Sequence, residues 1–221
     1  MPPNLPPLPA YDHASIFPHA KVMSSSQLKL ALDSFVEFTE RYVLGVPMDE
    51  SKALKFGRLF AACYADRGID PQPYFAADKL GPTGLLDAMR DALRKLPRLP
   101  GGEAEHAIFA EVPGTDWKIR VTLDDWCPER RIDREVKTGG VPWTQERADN
   151  DFQVSLQCLA LALRDFSPPS VVELQWFSTK QRGVGGWQTF KTNRTAYQLA
   201  HVLDTIRPIL RRIDDAYETK G

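Results

Sequence analysis

The stretch RIDREVKTGG, residues 131–140, sets two carboxylates, two arginines and a lysine within its first seven positions and then stops at a double glycine. Side chains alternate along a strand, so Asp133, Glu135 and Lys137 share one face, Ile132 and Val136 take the other, and same-face neighbours stand about 7 Å apart. A carboxylate, one spacer and a lysine is a common triplet. Glu50/Lys52, Asp116/Lys118 and Glu218/Lys220 repeat it at a helix start, beside a hairpin turn and at the chain's end, where solvated charge explains it.

The preceding run, WKIRVTLDDW (residues 117–126), alternates in the same way. Ile119, Val121 and Leu123 form one face and Lys118, Arg120, Thr122 and Asp124 the other, which puts Asp124 rather than Asp125 on the polar side. If the two strands pair through the short CPER turn, Asp124 and Glu135 converge at one sheet edge as oxygen ligands for Mg²⁺ or Mn²⁺. Phosphodiester hydrolysis needs such a cation to polarise the phosphate and activate water, and an ammonium such as Lys137 to meet the developing negative charge. The competing reading is a polar edge carrying cross-strand ion pairs, which contribute little to stability. The residues alone leave both readings standing.

Outward from this hairpin the pattern is mixed. AIFAEV (107–112), set off by the PGTD turn, adds a third antiparallel strand, while VVELQWFS (171–178) and GWQTFK (186–191) read as two more. RGVGG (182–186) lacks the context of a phosphate loop and reads as a hairpin turn. Helices are expected from a Ser24 or Ser26 cap to about Tyr42, ended by Gly45 and Pro47, then over 51–66, 84–96 and 146–164. From Asn193 onward Leu199, Val202, Leu203, Ile206, Leu210, Ile213 and Tyr217 mark a long amphipathic helix that Pro208 bends.

Five of the first nine residues are proline, which suits an extended, poorly ordered lead over residues 1–20, with 21–221 as a single domain. A net charge of -1 with 26% charged residues announces neither nucleic acid nor membrane as a partner. No apolar run reaches the roughly 18 residues of a membrane span, and no signal peptide opens the chain. Cys63, Cys127 and Cys158 show no metal or redox spacing, and a reducing cytoplasm suits them.

Taken together the residues resemble the PD-(D/E)XK nuclease superfamily, in its RecB-type and phage exonuclease-like branch, from about Val22 to the last helix. MSSSQLKLALDSFVEFTERYVLGV (23–46) looks like the family's opening helix and KALKFGRLF like the approach to its second. VTLDDW looks like the first metal strand, REVKTG like the (D/E)-x-K-T strand, and DFQVSLQCLALAL like the glutamine-bearing helix. The resemblance implies an α/β, restriction-endonuclease-like three-layer core, with a mixed central sheet flanked by helices. It implies Asp124 and Glu135 as ligands of Mg²⁺ or Mn²⁺, Lys137 acting on the attacking water or scissile phosphate, and Gln153 orienting site or substrate. Thr138 and Gly139 match the motif and need only shape the turn. The implied activity is that of a phage or bacterial recombination or repair exonuclease on DNA, with a recombination or single-strand-binding protein as a further partner.

The chain departs from that pattern in two places. Ala61 stands where many relatives place a metal-binding histidine, four residues after the glycine matching Gly57, so either Glu111 substitutes, water fills the gap, or activity is lost and the protein regulates by binding. Gln157 stands where relatives often have tyrosine and reads first as a polar helix residue. The cysteines do not reproduce the iron–sulfur arrangement of some relatives, so no cluster is expected. His13, His19, His106 and His201 are scattered and read as structural or exposed. Arg130, Arg131, Arg134, Arg147, Lys180, Arg182, Lys191 and Arg194 either line a phosphate path or are ordinary solvated charge. Trp143 is the best candidate for base stacking. A proline-rich tail that binds partners is a weaker alternative.

Overall fold

The computed structural model describes residues 21–47, 50–165, 167–180 and 187–219. The proposed lead over 1–20, with His13 and His19, and the turn at 182–186 lie outside the described residues.

The architecture is mixed α/β, a six-stranded mixed sheet flanked by helices. A short strand β1 (Val22–Ser24) leads into α1 (Ser25–Asp33), where Ser24 and Gln27 form a reciprocal capping box. The expected single helix is interrupted here. Ser34 leaves helical geometry to cap α2 (Phe35–Phe38), a π-turn follows over Thr39–Val43, and Gly45 at φ +75° ends it. Ser51 caps α3 (Lys52–Ala65); α4 (Gln72–Ala77), which the sequence reading missed, and α5 (Thr83–Lys95) follow.

The antiparallel meander is β2 (Glu103–Glu111), β3 (Lys118–Cys127) and β4 (Ile132–Gly139). The helix expected over 146–164 is two, α6 (Gln145–Asp149) and α7 (Phe152–Asp165), parted where the Asp151 carboxylate accepts from Val154 N. Then come β5 (Val171–Ser178), parallel to β4, and β6 (Trp187–Thr192), antiparallel to β5. The long helix α8 (Ala196–Glu218), capped by Thr195, runs through Pro208 without a break.

One face of the sheet packs Ile108, Val121, Val172 and Leu174 against α1, α7 and α8. The other packs Val136 and Phe177 against Phe56, Phe60 and Met89 of α3 and α5. Arg194, 5% exposed, ties the ends of three elements together: it donates to Ser155 Oγ (2.7 Å), Thr192 Oγ1 (2.8 Å) and the carbonyls of Ala148 (3.0 Å) and Asp151 (3.2 Å). Among the described residues no helix is long and apolar enough to cross a membrane.

Candidate active site

β2 pairs with β3 along its whole length, so β1 and β4 must share β3's other edge. β1 holds Lys118–Arg120 and β4 holds Asp125–Cys127, which leaves a fork between them at Asp124. Asp124 and Glu135 therefore meet inside the sheet, where two strands part, and not at a sheet edge as the sequence suggested. In the fork the Asp124 carboxylate replaces the missing main-chain partner: Val136 N donates to its Oδ2 at 2.7 Å.

The alternation of β3 also breaks here. Leu123 and Trp126, of opposite parity, belong to the same core as α7, while Asp125 turns to the other face to meet Tyr64 of α3. Across the β2–β3 ladder, Glu105 is bracketed by the pairs Ala104↔Asp125 and His106↔Leu123, and its backbone is left-handed at φ +49°. Lys118, Arg120, Thr122 and Asp124 consequently do not form one continuous face.

On β4 the expected alternation holds. Glu135, 2% exposed, is gripped through both oxygens: Lys137 Nζ and Gln153 Nε2 (2.8 Å) donate to Oε1, and Gln157 Nε2 donates to Oε2 at 2.6 Å. Lys137 also donates to Gln153 Oε1 at 2.6 Å. Gln157, fully buried and bonded in addition to Thr122 O, is thus part of the cluster and not a plain polar helix residue. Its placement one turn after Gln153 was the signal available in the sequence.

Burial first, then the charges of Glu135 and Glu105, hold the Asp124 carboxyl well above the usual range, against the pull of Lys137 and the Val136 N–H. Burial works to lower the Lys137 ammonium, but Glu135, Asp151 and Asp124 outweigh it and the net shift is upward, so Lys137 stays charged. Asp133, fully buried, has no hydrogen-bond partner on either oxygen among the described residues, and burial followed by the Glu135 charge raises it strongly. The neighbour Asp125 is satisfied: Tyr64 Oη and Leu99 N donate to Oδ2 at 2.7 Å each, and Arg98 donates to Oδ1 at 2.9 Å.

The remaining candidates separate clearly. Gly57 lies against β4, where a Cβ would stand 3.2 Å from Thr138 Oγ1, and Ala61, one turn later on the same stripe, offers that strand only a methyl. Glu111 is 84% exposed beside Lys118 and six residues of register from Asp124, about 20 Å, so it is no substitute ligand. Trp143 is buried, with the Arg147 guanidinium 4.3 Å from its ring centre, which closes it as a stacking platform. Arg131 donates to the carbonyls of Ser167 and Pro168, and Arg134 and Lys191 pair with Glu173. His106 pairs with Glu103 at 2.6 Å and His201 is exposed on α8. The three cysteines are buried and unpaired.

Two oxygen donors side by side in a buried fork fit a hard cation. A cation would relieve the repulsion between the two carboxyls that helps hold Asp124 above its usual range. Among the described residues no group of three or more His, Cys, Asp or Glu side chains is placed to hold a metal ion, so a cation here would rest on two carboxylates and water.

No family model and no curated protein matches the chain. Among solved structures, one described as "Putative exonuclease" from Eubacterium rectale superposes with a TM-score of 0.64 at 12% identity, over 92% of this chain and 84% of that one. The protein SSO0001 aligns at TM-score 0.43 and 12% identity over 91% of this chain and 77% of that one. The first shares the mixed α/β fold described above.

Proposed function

We propose that the protein is a metal-dependent DNA nuclease of the PD-(D/E)XK type, most closely a phage or bacterial recombination exonuclease. What supports it is one cluster: Asp124 in the fork, held by Val136 N, beside Glu135 and Lys137, which Gln153 and Gln157 hold in place. Asp124 and Glu135 would hold Mg²⁺ or Mn²⁺, which when bound polarises the phosphate and lowers the pKa of a coordinated water. Lys137 contributes a fixed positive charge where the phosphoryl oxygens gain negative charge. Gln153 and Gln157 deny Glu135 other rotamers, so the site needs little reorganisation during reaction. Hydrolysis then proceeds without a covalent enzyme intermediate.

The test uses end-labelled linear and circular DNA, single- and double-stranded, with Mg²⁺, Mn²⁺ or chelator. Cleavage should require metal, and Lys137→Ala should lower its rate about 10²–10³-fold. Glu135→Ala should abolish it, with both variants still folded by circular dichroism. Undiminished cleavage by both variants sinks the assignment. Ala61 favours a second reading, a nuclease fold that regulates by binding, and binding with no metal-stimulated cleavage would select it.

A further inference from the structure

The double glycine that ends β4 has a use that turn geometry alone does not explain. A Cβ on Gly140 would stand 2.5 Å from Lys180 Cε, 2.9 Å from Cδ and 3.0 Å from Cγ, so the stem of Lys180 lies across this glycine and would have to swing aside for a side chain there. The root of that side chain is fixed: Thr179 N donates to Gly139 O at 2.9 Å and Lys180 N to Ser178 Oγ at 3.3 Å. Arg131, Arg134, Lys191 and Arg194 are each engaged by carbonyls or carboxylates, whereas the Lys180 ammonium has no acceptor among the described residues.

A second donor borders the same bend. Trp176 pairs with Lys137 across β4–β5 and is 1% exposed, and its indole N–H has no acceptor among the described residues. That nitrogen lies 3.6 Å from where a Cβ on Gly139 would stand. A buried donor without a partner is costly, and glycines are where a ligand can come close to the backbone. An ammonium and an indole N–H flanking side-chain-free backbone call for an acceptor-only, anionic ligand.

We propose that Lys180, with Trp176 and the Gly139–Gly140 bend, forms a subsite for a backbone phosphate of the nucleic-acid substrate, beside Lys137 and separate from the metal-binding fork. It rests on the nuclease reading. Gly140 is three residues beyond Lys137, about 10 Å along the strand. With one phosphate per about 3.4 Å of axis on each strand, the bound phosphate lies within about three nucleotides of the scissile one. One phosphodiester charge matches one ammonium.

The test measures binding of labelled single-stranded and duplex oligonucleotides to the full chain in chelator, where no cleavage occurs, as a function of salt. Lys180→Gln should flatten the slope of log K against log salt by about 0.7 for single strands or about 0.9 for duplex, about five- to eightfold in affinity at 0.1 M salt. Lys180→Arg should restore the slope. Gly140→Ala should weaken binding although the lysine is still there, and Trp176→Phe should weaken it without changing the slope. Lys29→Gln, on the exposed face of α1, is the control and should change nothing. An unchanged slope and affinity in Lys180→Gln overturns the subsite and leaves the nuclease reading standing. Salt-dependent binding that loses its Lys180 component in the variant, with no metal-supported cleavage by the unmodified protein, upholds the subsite and overturns the nuclease reading.

Discussion

Asp124 and Asp125 are adjacent, yet replacing each by asparagine should have opposite effects. The Asp125 side chain is wholly buried and accepts from Tyr64, Leu99 and Arg98 at 2.7, 2.7 and 2.9 Å. Asparagine keeps one oxygen and turns the other position into a donor, so at least one of these donors loses its acceptor and Arg98 faces a neutral group. Removing one partner of a buried pair costs about 3–5 kcal/mol, and because Arg98 is 26% exposed the lower end, about 3 kcal/mol, applies. At about 2–4 °C per kcal/mol for a chain of this size, Asp125→Asn should melt about 6–12 °C lower. In Asp124→Asn the amide oxygen still accepts from Val136, and a charge disfavoured by burial, Glu135 and Glu105 is gone. Its melting temperature in chelator should equal or exceed that of the unmodified protein. Mg²⁺ should stabilise the unmodified protein by about 2.7 kcal/mol at a hundred times its Kd, and Asp124→Asn should lose that shift. Thermal unfolding of the three proteins in chelator and in Mg²⁺ checks both halves. Equal losses for the two variants in chelator, or a full Mg²⁺ shift in Asp124→Asn, would refute the reasoning.

Gln157→Leu strips Glu135 Oε2 of its 2.6 Å donor and should cost about 2 kcal/mol in urea unfolding, as for other hydrogen bonds to a charged group; a change under about 0.5 kcal/mol would return Gln157 to the ordinary helix surface. Burial pushes the Cys63 thiol up from 9.0 to about 12, and burial with the Asp133 charge does the same at Cys158. The unfolded thiols therefore ionise first, the folded state binds more protons above about pH 9, and stability present below that pH falls as pH climbs toward 12. The urea midpoint should be lower at about pH 10.5 than at about pH 8, and a rise would contradict this.

Much of the fold was legible because local chemistry and final structure agree. Ser24, one of the two serines offered as a cap, caps the first helix, the next begins just after Ser51 as expected, and the turns around 113–116 and 128–131 close the meander. The alternation of β4 brought Glu135 and Lys137 together on paper as it does in space. The break in β3 was not legible, because it depends on Glu105, on the neighbouring strand, adopting a left-handed backbone opposite Asp124. Ser34 and Asp151 were read past as helix interior, since a serine or aspartate that ends one helix and caps the next looks like any polar position in an amphipathic run. Gln157 was undervalued because a buried glutamine is recognised only by the carboxylate it meets, and that carboxylate comes from another element.

Arg194 gives the molecule an order of completion. The guanidinium that seats the start of α7, and with it Gln153 and Gln157, belongs to a residue far downstream of Asp124, Glu135 and Lys137. As the chain leaves the ribosome the acidic and cationic groups emerge first, and the clamp that steadies the glutamines around Glu135 arrives only with the final quarter. A nascent or truncated chain ending before that point carries the whole motif and still lacks the contact that keeps its glutamine helix in register.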